Sequence, residues 1–198
     1  IINECVELED IDLSNNLIEQ LGNGNFNSNK KIKYLNISEN RLKTFSLDII
    51  NECVELEDID LSNNLIEQLG NGNFNSNKKI YSLDISGNRL KNFKFDLIKD
   101  CANLENLNLS DNLIKEFEYG AFIRNRMLST LDISGNRLKN FQFDLIKDCN
   151  LNLSDNLIEE FEYGTFIQNK IFFHLYLKIY TEKEIGFARL TRIIPLTV

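Results

Sequence analysis

Four cysteines, a single histidine and a recurring serine are the side chains of this chain best suited to bond-making chemistry. Cys5, Cys53, Cys101 and Cys149 stand 48 residues apart. Ser14, Ser38, Ser62, Ser86, Ser110, Ser134 and Ser154 recur at steps of 24, with a last step of 20. An even set of cysteines suggests a disulfide framework or a zinc site, and serine with His174 and a carboxylate suggests a hydrolytic triad. Spacing tells against each. Parallel strands stack ~4.8 Å apart, so cysteines two strands apart are separated by ~9–10 Å. A disulfide spans at most ~7 Å between Cα atoms. Nor can a straight row surround one tetrahedral ion. The cysteines are therefore expected as small buried thiols, with no disulfide and no metal. A serine written into every unit serves the unit rather than one reaction centre. No phosphate-binding loop or nucleophile motif is present. The expected set of catalytic residues is empty, no cofactor is implied, and the chain is expected not to be an enzyme.

The elements that carry these columns follow from an internal repeat. The stretch LEDIDLSNN occurs at Leu8–Asn16 and again at Leu56–Asn64; residues 1–32 equal 49–80 throughout, and 83–101 match 131–149 except that Lys94 becomes Gln142. Beneath this 48-residue unit lies one of 24. Its marker is the ladder Asn16, Asn40, Asn64, Asn88, Asn112, Asn136 and Asn156. Aligned on that asparagine, the text reads L-x-x-L-x-L-S-x-N-x-L, as in Leu56-Ile59-Leu61-Asn64-Ile66 and Leu104-Leu107-Leu109-Asn112-Ile114. L-x-L alternates with period two, so both apolar residues face one side of a short strand. One such strand cannot bury its apolar side alone, whereas stacked parallel coils bury a continuous column. An asparagine amide at the turn out of the strand can bond backbone groups in its own and the adjacent coil. Two more apolar columns fill the other half of each coil. They are Leu21, Phe45, Leu69, Phe93, Phe117, Phe141 and Phe161, and Phe26, Ile50, Phe74, Ile98, Phe122, Ile146 and Phe166.

The pattern resembles the leucine-rich repeat family. The period of 24 and the phrase F-x-x-N-x-x-L-x-x-L-x-L-S-x-N, fullest at Phe122–Asn136, are similar to the typical repeats of extracellular proteins, among them Toll-type receptor ectodomains and related arthropod proteins. The resemblance implies an α/β solenoid: a right-handed horseshoe with a parallel concave sheet, and loops and short helical turns on the convex side. The expected repeat domain is 1–180, with about 7–8 coils and a shortened coil near 149–150, where four residues are missing relative to Ala102–Glu105. Phe172, Leu175 and Leu177 fit one more strand, with Tyr180 in the ladder place. Residues 181–198 keep no register and are expected to form an irregular C-terminal tail or cap. The chain opens in mid-repeat on Ile1-Ile2-Asn3, so it reads as a fragment with any targeting signal outside it.

The concave strand positions are the expected partner-binding surface. One column reads Asp10, Tyr34, Asp58, Ser82, Asn106 and Thr130; the next reads Asp12, Asn36, Asp60, Asp84, Asn108 and Asp132. Carboxylates this close repel one another, so a basic protein partner is expected there, steered by the acidic field. The net charge of −8 argues against nucleic acid. No apolar run approaches the ~18 residues of a membrane span. Sequons at Asn36, Asn108 and Asn152 mark candidate glycosylation sites. Arg41, Lys43, Arg89, Lys91, Arg137 and Lys139 are expected to pair with Glu19, Glu67, Glu116 and Glu159/Glu160 of adjacent coils. The function expected from these features and the resemblance is extracellular or cell-surface protein recognition. The alternatives are a cytoplasmic scaffold, suggested by unpaired cysteines and missing Cys-rich caps, and a structural or degenerate fragment without a partner.

Overall fold

A computed structural model describes residues 5–22, 26–118, 121–122, 124–141, 149–158 and 175–176. The expected positions Ile146, Glu159/Glu160, Phe161, Phe166, Phe172, His174, Leu177, Tyr180 and the 181–198 tail lie outside the described residues. Each L-x-L phrase supplies the end of a short strand: β1 (Asp10–Asp12), β2 (Tyr34–Asn36), β4 (Asp58–Asp60), β6 (Ser82–Asp84), β7 (Asn106–Asn108), β8 (Thr130–Asp132), β9 (Asn150–Asn152) and β10 (Leu175–Tyr176). They form one eight-stranded sheet in the order β1-β2-β4-β6-β7-β8-β9-β10, parallel throughout. The middle residues Ile11, Leu35, Ile59, Leu83, Leu107, Leu131 and Leu151 are in register and buried. The residues on either side of them face outward. Between successive main-sheet strands the chain makes a coil of loops. The four-residue deletion is absorbed in a loop, since β9 still pairs with β8 as Thr130↔Asn150.

On the convex side, β3 (Thr44–Phe45) pairs with β5 (Gln68–Leu69), a second small sheet that the repeat pattern does not announce. The helical component among the described residues is two 3-10 turns, Leu47–Ile50 and Phe95–Leu97. The core holds the expected columns, including Phe26, Phe45, Ile50, Phe74 and Ile98. It also holds residues outside them. Phe95 packs edge-on against Phe93, Phe117 and Phe122, with ring centroids 5.7, 5.3 and 4.3 Å away.

The ladder asparagines join the coils. Asn64 Nδ2 donates to Ile37 O of the preceding coil at 2.9 Å and to its own Leu61 and Ser62 carbonyls, while its Oδ1 accepts from Leu42 N at 3.0 Å. Asn40, Asn88, Asn112, Asn136 and Asn156 repeat this set. Asn16 differs: it is exposed and, among the described residues, bonds only Leu13 O and Ser14 O of its own coil.

The residue before each ladder asparagine is left-handed, with φ between 52° and 63° at Asn15, Glu39, Asn63, Gly87, Asp111, Gly135 and Asp155. Asn and Asp tolerate this region, glycine enters it freely, and a glutamate does not favour it. Gly87 has a further reason: a Cβ there would collide with Asn63 Oδ1. Introducing glycine at one of these positions and removing it from another should therefore give opposite signs. Glu39→Gly is expected to stabilise by about 0.5–1 kcal/mol, and Gly87→Ala to destabilise by about 1–2 kcal/mol. Urea denaturation midpoints check both, and a loss of stability in Glu39→Gly would contradict the assigned strain.

Candidate functional site

The outer face of the main sheet is built from two columns. Strand register aligns Asp10, Tyr34, Asp58, Ser82, Asn106 and Thr130, and beside them Asp12, Asn36, Asp60, Asp84, Asn108 and Asp132. The first column's outer members Asp10, Tyr34, Asn106 and Thr130 are exposed; Asp58 and Ser82 are half-buried. In the second column Asp12 is exposed and the others are half-buried.

The second column has an internal task. Ser14, Ser62, Ser86 and Ser134 donate their backbone N–H groups to the Oδ1 of Asp12, Asp60, Asp84 and Asp132 at 2.8–2.9 Å. Ser38, Ser110 and Ser154 do the same to Asn36, Asn108 and Asn152. The hydroxyls of Ser38, Ser86, Ser110, Ser134 and Ser154 donate to the same oxygens at 2.6–2.8 Å. Each pair closes an Asx-type turn that takes the chain out of its strand. The recurring serine is thus a turn residue, and in these five coils its hydroxyl proton is already committed. Asn108 Nδ2 donates to Asp84 Oδ2, and Asn152 Nδ2 to Asp132 Oδ2, each at 2.9 Å. Two of the three sequon amides are therefore tied across strands.

Tyr34, Asp58, Asp60, Tyr81 and Asp84 form the electrostatic centre of the face. Burial pushes the Asp58 carboxyl above the usual range; the Ser82 hydrogen bond opposes this, and the Asp60 and Asp84 charges add to it. Burial also raises the Tyr81 phenol, helped by Asp58 and by Tyr34, with which it shares a hydrogen bond. Asp12 is different: the hydrogen bonds from Ser14 hold its carboxyl below the ordinary value. No ion pair among the described residues involves Asp58, Asp60 or Asp84.

Ion pairing departs from the expected pattern. Lys31 pairs with Glu7, Lys33 with Glu9 at 2.7 Å, and Lys79 with Glu55, all between successive coils at the strand-entry side. The Lys33 bond lowers the Glu9 carboxyl. The expected pairs of Arg41, Lys43, Arg89, Lys91, Arg137 and Lys139 with Glu19, Glu67 and Glu116 are not among those formed. These side chains are exposed and long, and they gain little from holding one geometry.

The cysteine column is also partly corrected. Cys53, Cys101 and Cys149 are buried, with Cys53 Sγ 3.5 Å from Phe26 O of the preceding coil, whereas Cys5 is exposed. Burial pushes the Cys53 thiol up to about 11 and those of Cys101 and Cys149 up to about 12. The reactive thiolate is then scarce at neutral pH. A thiol reagent is expected to label Cys5 in the native protein, and Cys53, Cys101 and Cys149 only after denaturant is added. Mass spectrometry of the labelled peptides checks this, and native labelling of Cys101 would contradict it. Between the cysteines stands a second asparagine column whose role the sequence pattern hides. Asn77 donates to Ile50 O and Cys53 O, and Asn125 to Ile98 O and Cys101 O, at 2.8–3.1 Å.

Among the described residues no cluster of His, Cys, Asp or Glu is placed to hold a metal ion, and no helix is long and apolar enough to cross a membrane. Curated proteins give no sequence match. Among solved structures, TLR13 in its complex with ssRNA13 superposes with a TM-score of 0.76 at 21% identity, over 95% of this chain and 28% of that one. An internalin (inlF) of Listeria monocytogenes gives 0.68 at 21% identity, over 80% and 45% of the two chains. The leucine-rich repeat domain of APL1B gives 0.65 at 18% identity, over 86% and 64%. The chain thus spans less than two thirds of each of these structures. Residues 6–66 and 78–138 match the leucine rich repeat family, more than half of the chain, and their asparagine-stitched coils and parallel sheet are what that sequence pattern demands; the chain belongs to the leucine-rich repeat family.

Proposed function

We propose that this chain is a non-enzymatic protein-recognition module that works outside the cell and takes a basic segment of a partner protein on its concave sheet. The leucine-rich repeat fold commonly mediates protein binding. The observation that carries the finer reading is the carboxylate group Asp58, Asp60 and Asp84, flanked by Tyr34 and Tyr81 and paired with no lysine or arginine among the described residues. Burial and the neighbouring charges of Asp60 and Asp84 disfavour the charged form of Asp58, and a lysine or arginine laid beside it removes that cost. Tyr34, 42% exposed, offers an aromatic face beside the charge. Asp10, Asp12, Asn36, Ser82, Asn106, Asn108, Thr130 and Asp132 extend the surface along the sheet. The proposed recognition domain is 1–180, with 181–198 as its C-terminal tail or cap. TLR13 was solved with RNA; here the sheet face has the wrong sign for phosphate, so nucleic acid is not the partner class.

The test is binding to a lysine-rich peptide and capture from extracellular fluid, with native protein and with Asp58→Lys/Asp60→Lys. Association is expected to slow about tenfold in the reversed protein, and native binding to weaken as salt rises. Arg89→Glu/Lys91→Glu, off the sheet face, should leave both unchanged. Identical partners and identical salt dependence in the Asp58/Asp60 variant would overturn the reading. A cytoplasmic scaffold is the second reading, supported by the buried thiols of Cys53, Cys101 and Cys149 outside any disulfide.

A further inference from the structure

On the convex side, the turn that follows β5 brings together two groups able to react with each other. Asn71 and Gly72 are both exposed. The Asn71 carbonyl is anchored, accepting from Leu47 N at 3.0 Å and from Ser46 Oγ at 3.4 Å. Its side-chain amide and the Gly72 N–H make no hydrogen bond among the described residues. Gly72 has φ +97°, a conformation that side chains rarely adopt, so the position holds a residue that leaves its nitrogen unshielded. An electrophilic amide carbon therefore lies one residue before an unhindered, unbonded backbone nitrogen.

We infer that Asn71–Gly72 is a site of spontaneous covalent modification, in which the asparagine amide is lost through a cyclic imide. The Gly72 nitrogen attacks Asn71 Cγ. The N–Cγ bond forms, the Gly72 amide proton is given up, the Cγ–Nδ2 bond breaks, and Nδ2 leaves as ammonia. Water then adds to one of the two imide carbonyls. Opening at Cγ gives aspartate at 71; opening at the main-chain carbonyl gives isoaspartate, with the chain rerouted through the former side chain. Water is the one co-reactant, and nothing is oxidised or reduced. Both products add a carboxylate at residue 71, next to Gly72, against which Asp48 packs closely: its Oδ1 lies 2.8 Å from where a Gly72 Cβ would stand. Isoaspartate also adds a methylene to the backbone and carries the anchored carbonyl away from Leu47 N and Ser46 Oγ. The seam held by β3, β5 and the Gly70 N to Phe45 O bond of 2.8 Å then loosens.

The chain contains its own comparison set. Asn51, Asn92, Asn103 and Asn140 are exposed but precede Glu, Phe, Leu and Phe, whose side chains hinder the following nitrogen. Native protein is incubated at mildly alkaline pH and cleaved at lysine. The peptide from Thr44 to Lys78 carries Asn71 and differs from the one that carries the same motif at Asn23–Gly24. Asn71 is expected to lose its amide several-fold faster than Asn51, Asn92, Asn103 or Asn140, to yield both aspartate and isoaspartate peptides, and to do so without denaturant. The isoaspartate fraction should melt below Asn71→Asp, which has the charge without the rerouted chain. Asn71→Gln, whose cyclisation needs a larger ring, should abolish the conversion while keeping the native melting temperature. Loss at Asn71 no faster than at Asn92 in the native protein, or loss confined to urea, would overturn the inference.

Discussion

Asn88→Ala should lower the melting temperature by about 6–12 °C, the shift that a loss of about 3 kcal/mol produces in a chain of this size. Asn88 is 6% exposed and sits in mid-array. Its amide nitrogen serves Leu61 O of the preceding coil and Ile85 O and Ser86 O of its own, at 3.0–3.1 Å, and its oxygen accepts from Ile66 N at 2.9 Å. Alanine supplies none of these partners. Each buried group left unpaired costs about 1–3 kcal/mol, and the groups sit too deep for water to replace the amide without rearrangement. Asn16→Ala is the matched control. Asn16 is exposed and bonds only its own coil, so its loss should cost under about 0.5 kcal/mol. Equal melting temperatures for Asn88→Ala and the native protein would show that the ladder contributes nothing to holding the coils together.

Phe95→Ala should be at least as damaging, at about 3–5 kcal/mol, read as a fall in the urea midpoint with little change in slope. The ring fills the space between Phe93, Phe117 and Phe122 in edge-to-face contact, and Phe117 continues the row to Phe141 at 6.2 Å. Such pairs contribute about 0.5–1.5 kcal/mol beyond the area they bury. Removing the ring therefore opens a void and breaks several favourable geometries together. Phe122 adds to the effect. Its backbone is left-handed at φ 63°, a strained state for an aromatic residue, and the 4.3 Å contact with Phe95 helps hold it there. Phe95→Leu keeps most of the volume and should recover more than half of the loss. A double variant with Phe122→Ala should fall short of the sum of the single losses, because the two rings share one contact. Strict additivity would mean that the aromatic row is a set of independent fillers.

The backbone was legible in the sequence to the extent that it is periodic. L-x-L positioned the main-sheet strands, and the asparagine spacing located the turns, since each coil meets the same neighbours and so needs the same residues. Even the irregular step before Asn156 could be assigned, because strand pairing and ladder survive when the deletion falls in a loop. What alternates between coils was harder to read. Phe95 shares its position with Leu47 and Asn71, so no apolar column announced it. Asn77 and Asn125 alternate with cysteines, and only their bonds to the preceding carbonyls separate a hydrogen-bonding role from a packing one. The strand-face residues were placed correctly in register, but their division of labour was not. That half of Asp84 and Asp132 serves the serine turn depends on which oxygen faces along the chain, and spacing carries no trace of that. Ion pairs were misassigned because exposed charges select partners by side-chain reach, which sequence columns do not measure.

The ladder also has a direction. Each asparagine from Asn40 to Asn156 reaches back to the preceding coil: Asn40 completes the coil of Leu13 and Ile18, and Asn64 that of Ile37 and Leu42. A coil leaving the ribosome is therefore unfinished until the next one follows it, 24 residues later, and supplies the missing amide. During synthesis the newest coil is always the incomplete one, so the growing end advances as a single soft unit behind which the array is already sealed. A chain halted at any coil carries that open end with it.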